Sequence, residues 1–148
     1  MGPWTARAMT TAIDTNVLIA LWNEDDLLNT LARSALDAAF GRGRLVIAAP
    51  VFAELLAAPS RNEAFLDSFC GETGISVDWN LNEAVWRTAG RAFQLYVARR
   101  RKHRGSGHRR ILADFLIGAH AVQNGFRLLT LDYHLYRAAF PRLAVVTV

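Results

Sequence analysis

Four carboxylates stand out by position: Asp14, Glu54, Asp114 and Asp132. Asp14 closes one short apolar run and Asp132 follows another, while Glu54 lies one turn into a helical pattern and Asp114 opens one. In a parallel sheet every strand-to-helix junction falls along the carboxyl edge. Asp14, Glu54 and Asp132 should gather there, and Asp114 joins them if its helix begins beside that edge. Acids packed into one crevice repel each other, and without a cation one of a close pair stays protonated. Oxygen donors with no Cys or His cluster beside them select a hard cation, Mg²⁺ or Mn²⁺, over Zn²⁺. Such an ion activates water and stabilises the charge that develops on a phosphate during in-line attack.

A second explanation competes with the first. Aspartate is a favoured helix N-cap, Asp14, Asp114 and Asp132 all precede helical patterns, and caps would converge on the same edge with no chemistry. Glu54 resists that explanation because it sits inside its helix, on the face of Val51, Leu55 and Ala58. A carboxylate set in an apolar stripe is costly unless something pairs with it, and the nearest cation in sequence, Arg61, lies beyond Pro59. In Asp114-Phe115-Leu116-Ile117-Gly118-Ala119-His120-Ala121 the small residues Gly118 and Ala121 fall near the face of Asp114, which permits close backbone approach. His120 is expected to be packed or hydrogen-bonded rather than a ligand, since a soft donor does not suit an oxygen site.

The elements that must position these acids alternate along the chain. Thr11–Asp14, Leu45–Ala49, Ile75–Val77, Arg127–Leu131 and Leu143–Val148 read as strands. Helices are expected over Asn16–Trp22, over Leu27–Phe40 (capped by Asp25 or Asp26 and stopped by Gly41), and from Pro50 to Ala58. Ser60-Arg61-Asn62-Glu63 reads as a capping box for a helix to Cys70. A long helix starts at Asn80 or Asn82, and others cover Ile111–Asn124 and Tyr133–Phe140. Short strands separated by helices predict a mainly parallel sheet with helices on both faces. The chain reads as one domain over residues 10–148, with residues 1–9 a leader outside it.

Composition narrows the class. Of 148 residues, 52% are apolar and 20% charged, which excludes a disordered chain. No apolar run is long enough to span a bilayer, so no membrane association is expected. One cysteine, Cys70, permits no internal disulfide and suits a reducing cytoplasm; it reads as a small buried hydrophobe. Seven of the seventeen Lys and Arg are Arg99, Arg100, Arg101, Lys102, Arg104, Arg109 and Arg110, in a segment with no acid, which leaves the rest of a +4 chain at −3. A basic strip on a mildly acidic body suits a polyanionic partner, although a solvated helix end explains such a run equally. Beside a metal-charged acidic edge it has a nuclease's division of labour, one part to hold the phosphate backbone and one to cut it.

These residues resemble a known family. Ile13-Asp14-Thr15-Asn16-Val17-Leu18, Glu54, Leu112-Ala113-Asp114 through Ala121, Leu128-Leu129-Thr130-Leu131-Asp132 and Tyr136-Arg137…Phe140-Pro141 together resemble the PIN domain, and most of all the VapC-type toxins of toxin–antitoxin pairs. The resemblance spans about Thr11 to Val145. It implies a three-layer α/β/α sandwich with a five-stranded sheet in the order 3-2-1-4-5, which sets Asp14 and Asp132 side by side at the topological switch point. It also implies that Asp14, Glu54, Asp114 and Asp132 hold one or two Mg²⁺ or Mn²⁺ ions, and that water activated there cuts an RNA phosphodiester. Thr15, Asn16 and Thr130 match polar positions that support the acids, though turn and cap chemistry uses the same side chains. A VapB-type antitoxin and a second copy of the chain are the implied protein partners. Exposed aromatics such as Trp22 and Trp86 could meet them, while core packing is the plainer use of either. His134 departs from the family pattern, standing where relatives often carry an acid or a glycine; it reads as a surface or packing residue.

Three other readings compete with this one. A haloacid dehalogenase phosphatase would want an Asp where Asn16 stands, and a receiver domain lacks its expected surroundings after Val77. A PIN-like module that grips RNA or protein without cutting remains the alternative.

Overall fold

In a computed structural model, which describes residues 10–102 and 110–148, five strands and seven helices alternate. The chain runs β1 (Thr11–Ile13), α1 (Thr15–Trp22), α2 (Asn29–Arg42), β2 (Leu45–Ala48), α3 (Ala49–Leu56) and α4 (Glu63–Thr73). It continues through β3 (Ser76–Asp78), α5 (Glu83–Lys102), α6 (Leu112–Asn124), β4 (Arg127–Thr130), α7 (Tyr133–Ala139) and β5 (Val145–Thr147). The strands form one sheet in the order β3-β2-β1-β4-β5, every pair parallel. That is the order and class the sequence predicted. No described helix is long and apolar enough to cross a membrane.

The apolar strand runs explain the layering. All residues of β1 and β2 are buried, as central strands covered on both faces must be. Ile13, Ile47, Leu128 and Leu129 of the sheet pack with Leu18 of α1, Leu55 of α3, Leu66 of α4 and Phe115 and Ile117 of α6, each almost fully buried. The register Ile13↔Leu129 brings the ends of β1 and β4 level, and Asp14 N–H donates to Leu129 O at 2.9 Å. The chain reverses its winding direction between these two strands, so their carboxyl ends open the crevice.

Several helix ends differ from expectation. α4 has no capping box at Ser60, which stands in the left-handed region at φ 63°. Asn62 caps α4 instead, accepting from Phe65 N–H at 2.8 Å, because it is the strong cap residue next to the first turn. Asp26 does not cap α2 either; its carboxylate accepts from Leu28 N–H at 2.7 Å in the turn before. α2 runs through Gly41 to Arg42 and stops at Gly43, since glycine permits a helix end without requiring one. α3 stops at Leu56, short of Ala58. Asn82 caps α5, its side chain accepting from Val85 N–H at 3.0 Å. Gly74 and Gly125 end α4 and α6 at φ 75° and 70°, a conformation glycine adopts without a Cβ clash.

Candidate active site

Asp14 lies one residue past β1 and is 5% exposed. One carboxylate oxygen accepts from Thr15 N–H at 2.8 Å and the other from the Thr130 hydroxyl at 2.7 Å. Neither bond is the N-cap bond to the second or third helical residue. Burial pushes its carboxyl up to about 6, and the nearby charge of Asp114 adds to that, against the lowering effect of the Thr130, Thr15 and Tyr136 donors. Thr130 serves twice, since its hydroxyl also accepts from Asp132 N–H at 2.9 Å. Asn16 accepts from Leu131 N–H at 3.2 Å and so ties the start of α1 to the end of β4. These bonds lock the two strand ends that carry Asp14 and Asp132.

Glu54, half-buried in α3, has its partner across the crevice rather than along its own helix. The Thr15 hydroxyl donates to it at 2.5 Å. Arg61 is engaged elsewhere, stacked 4.9 Å over the Trp22 ring and 4.5 Å over Phe65. Asp114 is not the N-cap of α6 but the third residue of its first turn, and its carboxylate accepts from the N-cap Ile111 N–H at 3.1 Å, the return half of a capping box. Burial raises its carboxyl and Asp132 raises it further, while the Ile111 N–H and Arg110 pull it down. Asp132 precedes α7 but makes no capping bond; its carboxylate is ion-paired with Arg110.

Asp114 therefore links Asp14 and Asp132 electrostatically at the carboxyl edge, and Glu54 joins Asp14 through the two polar atoms of Thr15. As the side chains stand, no three Asp, Glu, His or Cys among the described residues converge to ligate one ion. The donor set nonetheless fits a hard divalent cation. It offers carboxylate oxygens only, and the charge of Asp114 raises the carboxyl of Asp14 as that of Asp132 raises Asp114. Tyr136 gives independent support. Its hydroxyl is fully buried, makes no complete hydrogen bond, and has its ionisation suppressed by burial and then by Asp14, Asp114 and Asp132.

The other sequence-predicted residues sort as follows. Arg99, Arg100, Arg101 and Lys102 form the last turn of α5. Arg104 and Arg109 lie outside the described residues. Arg110, expected among the RNA contacts, instead engages Asp132. His134 is exposed and edge-on to Tyr133 at 5.6 Å. Trp22 is half-buried against Phe65 and Phe69, whereas Trp86 is exposed. Cys70 is half-buried, and burial and Asp67 raise its thiol. His120 is fully buried with Nε2 2.9 Å from Asp78. What approaches α6 at Gly118 is the Phe140 ring, not backbone. Sequence reasoning missed the Arg110–Asp132 pair, the Tyr136 hydroxyl and the Asp78–His120 pair. Each depends on a contact between segments far apart in the chain; the one local signal was the motif position of Tyr136.

Comparison with known proteins bears on the whole arrangement. The PIN domain family model matches residues 11–141. No curated protein matches the sequence. Among solved structures, VapBC2 from Rickettsia felis bound to a DNA fragment from its promoter is similar, with a TM-score of 0.67, 17% identity, and coverage of 94% of this chain and 98% of that one. VapBC-1 from nontypeable Haemophilus influenzae superposes with a TM-score of 0.65 at 20% identity, over 93% of this chain and 97% of that one. A toxin–antitoxin complex from Klebsiella pneumoniae gives 0.60 at 20% identity, over 93% and 96%.

Proposed function

The chain belongs to the PIN domain family, and from that premise we propose that it is a Mg²⁺- or Mn²⁺-dependent endoribonuclease, the toxin of a toxin–antitoxin pair. One observation carries the reading: Asp14 feels the charge of Asp114, Asp114 feels that of Asp132, and the buried Tyr136 hydroxyl feels all three, so these acids share one corner of the carboxyl edge. Asp14, Glu54, Asp114 and Asp132 are the residues that would hold the metal. A bound divalent ion would supply charge neutralisation for the phosphate and activation of the attacking water.

The chain's own residues do the positioning. Thr15 presents its backbone N–H to Asp14 and its hydroxyl to Glu54, which fixes the two acids relative to each other. Thr130 holds Asp14 and the backbone of Asp132 with one hydroxyl. Arg99–Lys102 provide cations for the RNA backbone at the end of α5. An antitoxin is the expected protein partner, in line with the complexes that the fold resembles, and a second copy of this chain is expected from the family resemblance. Exposed Leu27, Leu31, Phe40 and Trp86 give such partners apolar surface to cover.

The test is cleavage of a mixed small-RNA pool by purified, antitoxin-free protein with Mg²⁺ or Mn²⁺ against EDTA, beside Asp14→Asn and Asp114→Asn. Cutting should require metal and fall by about a hundredfold or more in both variants, since even outer-shell partners of a metal carry effects of that size. Cutting that persists in EDTA or in either folded variant would remove these acids from the chemistry. The Arg110–Asp132 pair favours one other reading, a binding module whose acids are already neutralised. RNA binding with no cutting under either metal would select it.

A further inference from the structure

Arg110 stands where the basic strip meets the acids. Its backbone N–H donates to the Tyr96 hydroxyl of α5 at 2.7 Å, and Tyr96 is packed against Phe93 and Phe115. The main chain of Arg110 is thereby tied to the α5–α6 interface. Its guanidinium reaches the carboxylate of Asp132, 22 residues away, with Nη1 bonded to one oxygen and Nη2 3.4 Å from the other. Both side chains are withdrawn from water, at 30% and 25% exposure. The same cation acts on Asp114. A planar guanidinium across both oxygens matches a carboxylate as a single point charge cannot.

This geometry has a consequence for the metal. A carboxylate gripped through both oxygens has to turn or be released before it ligates an ion. A guanidinium left beside that ion would face it as a like charge. Building on the metal-nuclease reading, we propose that Arg110 is an internal counter-cation that occupies Asp132 in the metal-free protein and competes with the divalent ion for it. Arg110 is a positioning residue in this scheme. It acts through Asp132, keeping three neighbouring acids compatible with a folded crevice until metal arrives. Because Tyr96 holds the backbone, the exchange needs only the side chain to swing. It also accounts for the failure of the acids to converge as they stand: Asp132 is turned to its arginine.

The experiment is a Mn²⁺ titration of the full chain, without RNA, read by the free-ion EPR signal. It compares the wild type with Arg110→Ala and Arg110→Lys, with circular dichroism to check folding. Loss of a competing half-buried ion pair should tighten Mn²⁺ binding about three- to tenfold in Arg110→Ala. Arg110→Lys, which keeps the charge but not the fork, should fall between the two. Equal or weaker Mn²⁺ binding by folded Arg110→Ala overturns the competition while leaving the metal site standing. A lysine variant indistinguishable from wild type reduces the effect to distant charge and also overturns it. Absence of Mn²⁺ binding in both wild type and Arg110→Ala removes the metal-nuclease reading along with the proposal. The backbone bond has its own control: Tyr96→Phe removes the tie but not the guanidinium, and it should move Mn²⁺ affinity less than Arg110→Ala does.

Discussion

Asp14 is a buried carboxylate that meets only neutral donors: Thr15 N–H, the Thr130 hydroxyl and, without a complete hydrogen bond, the Tyr136 hydroxyl. Its carboxyl stands at about 6 against an ordinary 3.8, chiefly through burial. The folded state thus binds this proton more tightly than the unfolded state, so the group costs stability as pH rises between those two values, and the full cost applies above the folded value. A shift of this size corresponds to about 2–3 kcal/mol. In EDTA at about pH 7.5, Asp14→Asn should therefore be more stable than the wild type by about 2 kcal/mol, while near pH 4 the two should coincide. Asparagine can keep the Thr15 bond through its carbonyl, and the Thr130 hydroxyl can rotate to accept from its amide. Urea unfolding at the two pH values measures the difference, and an Asn variant that is less stable at neutral pH would contradict the argument. The four acids could be picked out in the sequence because residue type and position, at a strand end for Asp14 and Asp132 and in the opening turns of a helix for Glu54 and Asp114, suffice to nominate them. Their partners could not. That Thr15 rather than a cation satisfies Glu54, and that Arg110 lies on Asp132 rather than on a ligand, depends on side-chain directions that no spacing encodes.

α6 shows how an element positions a carboxylate that its own cap does not. Asp114 is in its first turn, and one turn further on a Cβ built at Gly118 would lie 2.3–3.0 Å from three atoms of the Phe140 ring. That ring is 5% exposed and stacked on Tyr136 at 6.5 Å, so it has nowhere to retreat without disturbing the phenol beside Asp14. Alanine gains about 1 kcal/mol of helix propensity over glycine, but overpacking of this kind costs about 1–3 kcal/mol. Gly118→Ala should lose about 1–2 kcal/mol in urea unfolding and weaken cleavage through displacement of Asp114 and Tyr136. An alanine variant as stable as the parent would mean that α6 slides freely over α7. The elements were legible in the sequence wherever a short apolar run or a helical pattern met a stop residue, which covers all five strands and the body of every helix. Ends were legible less often. Ser60 and Asn62 are both acceptable caps by type, and only the left-handed turn at Ser60 assigns the role to Asn62. Gly41 reads as the stop for α2, but the helix passes through it to Gly43, because glycine by type permits a helix end without fixing one.

The charge distribution belongs to the whole molecule. Asp14 and Asp132 are set side by side at the carboxyl edge by topology, because β1 and β4 are neighbours in a 3-2-1-4-5 sheet. The cations converge by sequence, because they are consecutive at the end of α5. The Tyr96–Arg110 bond ties the residue that pairs with Asp132 to the helix that ends in the strip. The basic turn has a competing explanation, favourable interaction with the C-terminal end of a twenty-residue helix. The two explanations separate on salt. If Arg99, Arg100 and Arg101 each neutralise a phosphate, replacing all three with glutamine should weaken binding of a single-stranded RNA and lower the slope of log K against log salt by about 2. The measurement is fluorescence anisotropy of a labelled oligonucleotide across a salt series in EDTA, where neither parent nor variant is expected to cut. If the cations serve only the helix end, the variant should lose a few tenths of a kcal/mol of stability per residue, about the size of an exposed charge–dipole interaction, and keep the slope of the parent. A flattened slope with unchanged unfolding would place the phosphate grip on α5, and an unchanged slope would move it to other cations of the chain.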